Sequence, residues 1–101
     1  MEIIKEINEG NLLIKLNGWL DHASSPELGE VIDAIDSAKS ITIDMANVEY
    51  VSSAGIRQIV AAHRKSKELN ADYSVINVSK DVMSVLAITG LDKKLNIVAK
   101  Q

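Results

Sequence analysis

The chain of 101 residues suits a single domain, and its 47% hydrophobic and 25% charged residues are typical of a globular protein with a compact core. A formal net charge of -3 with no basic block, and only 3% aromatic residues, argue against nucleic-acid binding. The absence of cysteine excludes zinc–thiolate sites, thiol catalysis and disulfides. With no signal-peptide core or membrane-length apolar run in the sequence, we expect a cytoplasmic protein without membrane insertion.

The first forty residues predict a β-hairpin followed by a helix. Apolar residues alternate from Leu12 to Leu16, as in a half-buried strand, and Gly10 suits a tight turn from a preceding strand. Ser24 or Ser25 is the expected N-cap of the helix, and Glu27 would complete a capping box with Ser24. The helix has Pro26 in its first turn and one apolar stripe, formed by Leu28, Val31, Ile32 and Ile35.

After residue 40, strands and helices alternate. A strand begins with one face formed by Ile41, Ile43 and Met45, and helical spacing follows from 54 to 69. The next strand leads to a helix that Ser79 would cap and Gly90 would end, before a short turn and a last strand. The expected inward residues of these two helices are Ile56, Ile59 and Val60 in the first, and Val82, Val85 and Leu86 in the second.

The element order ββαβαβαβ predicts an α/β fold in one domain spanning 1–101. Its mixed β-sheet would combine an antiparallel opening hairpin with a parallel βαβαβ arrangement, and the helices would pack against the sheet.

The stretch VEYVSSAGIRQI joins a predicted strand to a predicted helix, where α/β proteins commonly hold ligands or reactive groups. Ser52 or Ser53 could simply cap the helix. Nucleophilic catalysis is disfavoured because the G-x-S-x-G elbow is absent, and His63 continues an apolar helical stripe while His22 lies in a loop. No phosphate loop and no specific metal-ligand spacing is present, so we expect neither a metal nor another cofactor.

Three segments, in order, make the chain resemble the STAS domain family, above all its small single-domain anti-sigma-factor antagonists. The family's Gly-Glu-Leu-Asp segment and first helix are matched by LNGWLDHASSPEL. Its signature, in which a strand ending in Asp and a short loop lead to Asp-Ser-Ser/Thr-Gly-Leu and a helix, is matched by ITIDMANVEYVSSAGIRQIV. Its last helix, Gly-Leu turn and strand are matched by VLAITGLDKKLNI.

The resemblance implies a binding protein rather than an enzyme. The unphosphorylated form would bind an anti-sigma factor that is also a serine kinase, phosphorylation would release it, and a PP2C-type phosphatase would restore binding. Aligning Gly55-Ile56 with the family's Gly-Leu makes Ser53 the expected phosphorylation site. Ala54 then stands at the Ser/Thr position and Ser52 at the Asp position, whereas a shift of one residue would make Ser52 the acceptor.

The same alignment predicts a partner-binding surface. Asp21 matches the family's aspartate, with a solvated turn residue as the alternative, and Asp44 would order the loop that follows it. Trp19 would be either a core anchor or an exposed binding hot spot. The predicted partner-binding residues are Trp19, Asp21, Ser52, Ala54, Gly55, Arg57 and Gln58. A second hypothesis stays open, namely a non-switching STAS scaffold or accessory subunit of a membrane transport system.

Overall fold

The computed structural model describes residues 1–100, and within them it contains five strands and four helices. In chain order these are β1 (Glu2–Asn8), β2 (Asn11–Leu20), α1 (Ser25–Asp33), β3 (Ser40–Val51), α2 (Ser53–Glu68), β4 (Asp72–Val78), α3 (Lys80–Ile88), α4 (Leu91–Lys94) and β5 (Ile97–Ala99). The α/β fold is thus confirmed, with one addition: the turn expected before the last strand contains the short helix α4.

All five strands form one sheet in the order β1-β2-β3-β4-β5. β1 pairs with β2 antiparallel, and the remaining neighbours are parallel, as the sequence predicts. The hairpin turn has positive φ at both central residues, 53° at Glu9 and 86° at Gly10, which matches the right-handed twist of the strands.

The core lies on one face of this sheet. Right-handed crossovers that always step to the next strand put their helices on the same face. The predicted alternation is confirmed there, since Leu12, Ile14 and Leu16 of β2 and Ile41, Ile43 and Met45 of β3 are buried. The opposite face carries a polar ladder, which includes an ion pair of 2.9 Å between Lys15 and Glu6 and a hydrogen bond of 2.9 Å from Asn47 to Asn17.

In α2 and α3, the buried side of the helix differs from the apolar stripe that the sequence predicts. In α2 the fully buried residues are Gly55, Ile59, Ala62 and Ser66, whereas Ile56 and Val60 are only half-buried. Small residues face the sheet because they let the helix approach closely. In α3, Val82 and Leu86 are buried as predicted, but Val85 is exposed. The Ser79 cap is confirmed by a hydrogen bond of 3.2 Å from the Val82 N–H to the Ser79 hydroxyl oxygen.

Two local predictions are wrong. Ser24 occupies the N-cap position of α1, but its side chain makes no capping hydrogen bond, so the capping box with Glu27 does not form. The strand that was expected to end at Asp44 continues to Val51. A carboxylate oxygen of Asp44 accepts hydrogen bonds from the Ala46 N–H and the Asn77 side-chain amide, both at 3.0 Å, and so joins β3 to β4.

Candidate functional site

The β3–α2 junction gives its two serines different positions. Ser52 is the N-cap, with extended backbone angles, and its hydroxyl oxygen accepts a hydrogen bond of 3.3 Å from the Gly55 N–H. Its own N–H donates to the Leu20 carbonyl at 2.9 Å, which ties the junction to β2. Ser53 is the first residue of α2 and is exposed. Within residues 1–100 its hydroxyl has no hydrogen-bond partner, and it is the more accessible of the two because Ser52 is half-buried.

Gly55 holds this junction close to the end of β2. A Cβ atom built on Gly55 would lie 2.5 Å from the Leu20 carbonyl oxygen and 2.7 Å from the Leu20 Cγ atom. No side chain fits at such distances, so only glycine allows the first turn of α2 to approach β2 here. Gly55, which the sequence predicts to be a partner-binding residue, is itself buried.

The β2–α1 loop lies at the same end of the sheet and is held by Asp21 and Ser24. The Asp21 N–H donates to the Ser24 hydroxyl oxygen at 2.9 Å, and the Ser24 N–H donates to an Asp21 carboxylate oxygen at 2.9 Å. The Ser24 hydroxyl also lies 2.7 Å from the Trp19 carbonyl and 3.0 Å from the Asp21 carboxylate. Hydrogen bonds from the Ser24 backbone and side chain lower the pKa of Asp21, which keeps this solvent-facing carboxylate ionised.

Trp19 lies on the surface beside Tyr50. The two residues are paired across β2 and β3, their ring centroids are 5.5 Å apart, and the rings are tilted by 51°. Trp19 is 57% exposed and Tyr50 is 49% exposed, so of the two alternatives for Trp19 the core anchor is wrong. One side of Trp19 borders a shallow hollow of about 320 Å³, lined also by Met1, Asp21, Ala23, Ser24 and Glu27.

The remaining predicted residues follow along α2. Arg57 is exposed, and Ala54 is half-buried. Gln58 is half-buried and packs against α1, because a Cβ atom on Gly29 would lie 3.1 Å from its side-chain oxygen. Gln58 therefore takes part in the contact between the two helices.

Tyr50 is a surface residue that the sequence reasoning missed. The pairing of β2 with β3 shifts between Lys15 and Asn17 and again between Gly18 and Trp19, and these shifts bring Trp19 opposite Tyr50. The available signal was the exposed position of Tyr50 in the strand, one residue before Val51, whose side chain is buried.

Within residues 1–100, neither histidine is hydrogen-bonded to the Ser53 hydroxyl, as a catalytic base would be. His63 is half-buried in α2, its ring centroid is 5.5 Å from that of Tyr73, and burial lowers its pKa. His22 is exposed in the β2–α1 loop. In the described part of the chain, no group of three or more His, Asp or Glu side chains is placed to hold a metal ion. No helix within residues 1–100 is long and apolar enough to cross a membrane.

Comparison with known proteins shows the same family over nearly the whole chain. The STAS domain family model matches residues 2–100. The anti-sigma-B factor antagonist of Staphylococcus aureus (strain NCTC 8325 / PS 47) is 27% identical over 86 residues, covering 83% of this chain and 80% of that protein.

Two solved structures have similar folds. The anti-sigma factor antagonist from Mycobacterium paratuberculosis has a TM-score of 0.85 at 26% identity, over 96% of this chain and 84% of that one. The phosphorylated form of the Bacillus cell fate determinant SpoIIAA has a TM-score of 0.65 at 17% identity, over 95% and 90% of the two chains, which is a likeness of fold.

Proposed function

Since this chain belongs to the STAS domain family, we propose that it is an anti-sigma-factor antagonist that switches partners through phosphorylation of Ser53. It acts by binding and not as an enzyme. In the cytoplasm, the unphosphorylated form binds an anti-sigma factor that is also a serine kinase. Phosphorylation breaks this complex, and a PP2C-type phosphatase restores it. The observation that carries the proposal is the exposed Ser53 hydroxyl at the start of α2, directly after the Ser52 cap.

A phosphate on Ser53 is compatible with the fold. It would add a charge of about -1.5 to -2 at neutral pH. Free N–H groups and the positive end of the helix dipole favour negative charge in the first turn, and this turn contains no acidic residue. The hydrogen bonds of Ser52 do not involve the Ser53 side chain, so the junction keeps its geometry. Phosphorylation therefore changes the surface while the protein stays folded.

The partner-facing surface would extend from Ser53 to the β2–α1 loop. Trp19 supplies exposed apolar area, which is the usual character of a binding hot spot, and Asp21 supplies an ionised carboxylate for a basic partner residue. A buried interfacial charge left without a counter-ion costs roughly 2–5 kcal/mol, and about 1.4 kcal/mol corresponds to a tenfold loss of affinity. A phosphate on Ser53, within this surface, would therefore weaken binding enough to dissociate the partner.

The test is incubation with ATP and the cognate anti-sigma factor kinase, followed by mass-spectrometric mapping. We expect one phosphate, on Ser53, which is lost in Ser53→Ala and kept in Ser52→Ala. Phosphate confined to Ser52 would overturn the assignment of the acceptor. Binding of the unmodified protein without any phosphorylation would instead favour a non-switching scaffold.

A second measurement tests the role of charge. Ser53→Asp should keep the circular dichroism spectrum of the wild type but bind the kinase more weakly. Ser53→Asn is the matched control, because it has nearly the same size and no charge. Equal affinity of the two variants would show that charge at this position does not control binding.

A further inference from the structure

Ser53 and Arg57 occupy neighbouring positions on the surface of α2. They are the first and fifth residues of the helix, and both are exposed. Side chains separated by four residues lie on the same face of a helix, one turn apart. Helical side chains also lean towards the N-terminus, so Arg57 extends over the turn that contains Ser53. An acidic group placed four residues before a basic one is the favourable orientation of such a pair.

Arg57 has no competing partner. Within residues 1–100 it makes neither an ion pair nor a side-chain hydrogen bond, and the first turn of α2 holds no acidic residue. Asp21 in the β2–α1 loop and Glu27 in the first turn of α1 are acidic and cannot neutralise a phosphate. Lys80 begins α3 but lines a separate hollow beside Lys100. Arg57 is thus an exposed cation one helical turn from Ser53, with no partner of its own in the described part of the chain.

We propose that Arg57 binds the phosphate of phosphorylated Ser53 within the same helix. The inference rests on the proposed function, since it assigns a role to Arg57 only in the modified protein. The planar guanidinium can donate two parallel hydrogen bonds to phosphate oxygens, which lysine cannot do. In the unmodified state Arg57 stays free to contact the partner. Phosphorylation then changes two features of the surface together, because it adds an anion and draws a cation back onto the helix.

The experiment uses full-length protein with phosphoserine installed genetically at position 53, so that no kinase is needed. The phosphate is titrated by 31P NMR in the otherwise wild-type protein and in Arg57→Gln. Because the guanidinium favours the dianion, removing it should raise the second pKa of the phosphate by about 0.15–0.4 pH unit. The difference should shrink in about 0.5 M NaCl, since salt screens an exposed pair.

Arg64→Gln is the matched control. Arg64 is also exposed on α2, seven residues after Arg57 and hence about 10 Å further along the helix axis. We expect Arg64→Gln to leave the phosphate pKa unchanged. A shift of the same size for both variants would mean general charge screening and would overturn the proposal, as would no shift for Arg57→Gln.

The result of the NMR titration can be distinguished from the result of the kinase labelling that tests the proposed function. If the cognate kinase never labels Ser53, the switch is wrong, yet the NMR titration still tests the pairing. If the kinase labels Ser53 but the phosphate pKa does not depend on Arg57, the switch stands and the pairing is wrong.

Discussion

Trp19 and Tyr50 form an exposed aromatic pair on adjacent parallel strands, with their ring centroids 5.5 Å apart. Most of both rings would be covered if a partner docked at this end of the sheet, and large rigid side chains contribute strongly to binding. We expect Trp19→Ala to weaken binding of the proposed anti-sigma factor partner at least tenfold, as measured by calorimetry. The loss of the aromatic contact should cost the free protein only about 0.5–1.5 kcal/mol of unfolding free energy.

A control for this prediction lies at the opposite end of the sheet. Ile7 is 75% exposed and pairs with Leu12 at the start of β2, whereas Trp19 lies near the end of that strand. Ile7→Ala should therefore remove exposed apolar area without changing the affinity for the proposed partner. If both variants weaken binding equally, Trp19 is not a specific contact.

The contact between Gly55 and Leu20 predicts a marked loss of stability on adding one methyl group. In Gly55→Ala the new Cβ atom would meet the Leu20 carbonyl oxygen at 2.5 Å, so α2 must move away from β2. Overpacking of this kind costs about 1–3 kcal/mol, and we expect about 2–3 kcal/mol here because a backbone atom is the obstacle. Urea denaturation would measure the change.

Gly29→Ala is the matched substitution in a second helix. Its Cβ atom would meet only the side-chain amide of Gln58, at 3.1 Å, and that flexible side chain can move aside. Alanine also has a higher helix propensity than glycine, by about 1 kcal/mol. We expect the unfolding free energy to stay equal or to rise. Similar destabilisation by both substitutions would contradict the explanation based on Leu20.

Alternating hydrophobicity was sufficient to predict the first parts of β2 and β3, where every second residue is buried from Leu12 to Leu16 and from Ile41 to Met45. Beyond Met45 the buried residues of β3 are Val48 and Val51, three positions apart, so alternation could not indicate that the strand continues to Val51. The buried side of α2 could not be found in this way, since Gly55, Ala62 and Ser66 are selected for small size and not for hydrophobicity. Their positions depend on how closely the helix approaches the sheet, which is a tertiary property.

The candidate site shows the same limit. The serine at the helix start was predictable from local capping rules and from the family signature. The contact between Trp19 and Tyr50 was not, because it depends on two shifts in strand register. The exchange of hydrogen bonds between Ser24 and Asp21 was also missed, since the capping-box pattern assigns the same hydroxyl to the helix.

The two adjacent serines should differ in their effect on stability. The Ser52 hydroxyl caps α2 through the Gly55 N–H, so Ser52→Ala should lower the unfolding free energy by about 1 kcal/mol. Ser53 makes no such bond within the described residues, so Ser53→Ala should change it by less than about 0.5 kcal/mol. Thermal unfolding of the two variants in parallel gives the comparison. A larger loss for Ser53→Ala would mean that Ser53, and not Ser52, is the stabilising cap of α2.

The hydrogen bonds between Ser24 and Asp21 predict a pH-dependent loop. Because Ser24 stabilises the ionised carboxylate, the pKa of Asp21 is lower in the folded protein than in the unfolded chain. This stabilisation is fully present above the unfolded pKa of about 3.9 and is lost as the pH falls through the lower folded value. Ser24→Ala keeps the backbone N–H that lowers the pKa of Asp21 most and removes only the side-chain hydrogen bond, so the pKa should rise part of the way towards its ordinary range, as measured by 13C NMR of the carboxyl carbon.

Ser24→Thr is the appropriate control, because it keeps the hydroxyl and should keep the pKa of Asp21 low. If Asp21 binds a basic residue of the partner, the two variants should also differ in their binding. Removing the hydroxyl leaves the Asp21 N–H without its acceptor and takes away one of the two hydrogen bonds that Ser24 makes to the carboxylate, so Ser24→Ala should bind the proposed partner more weakly than Ser24→Thr. An unchanged pKa in Ser24→Ala would show that the hydroxyl does not contribute and that the backbone N–H of residue 24 alone lowers the pKa of Asp21.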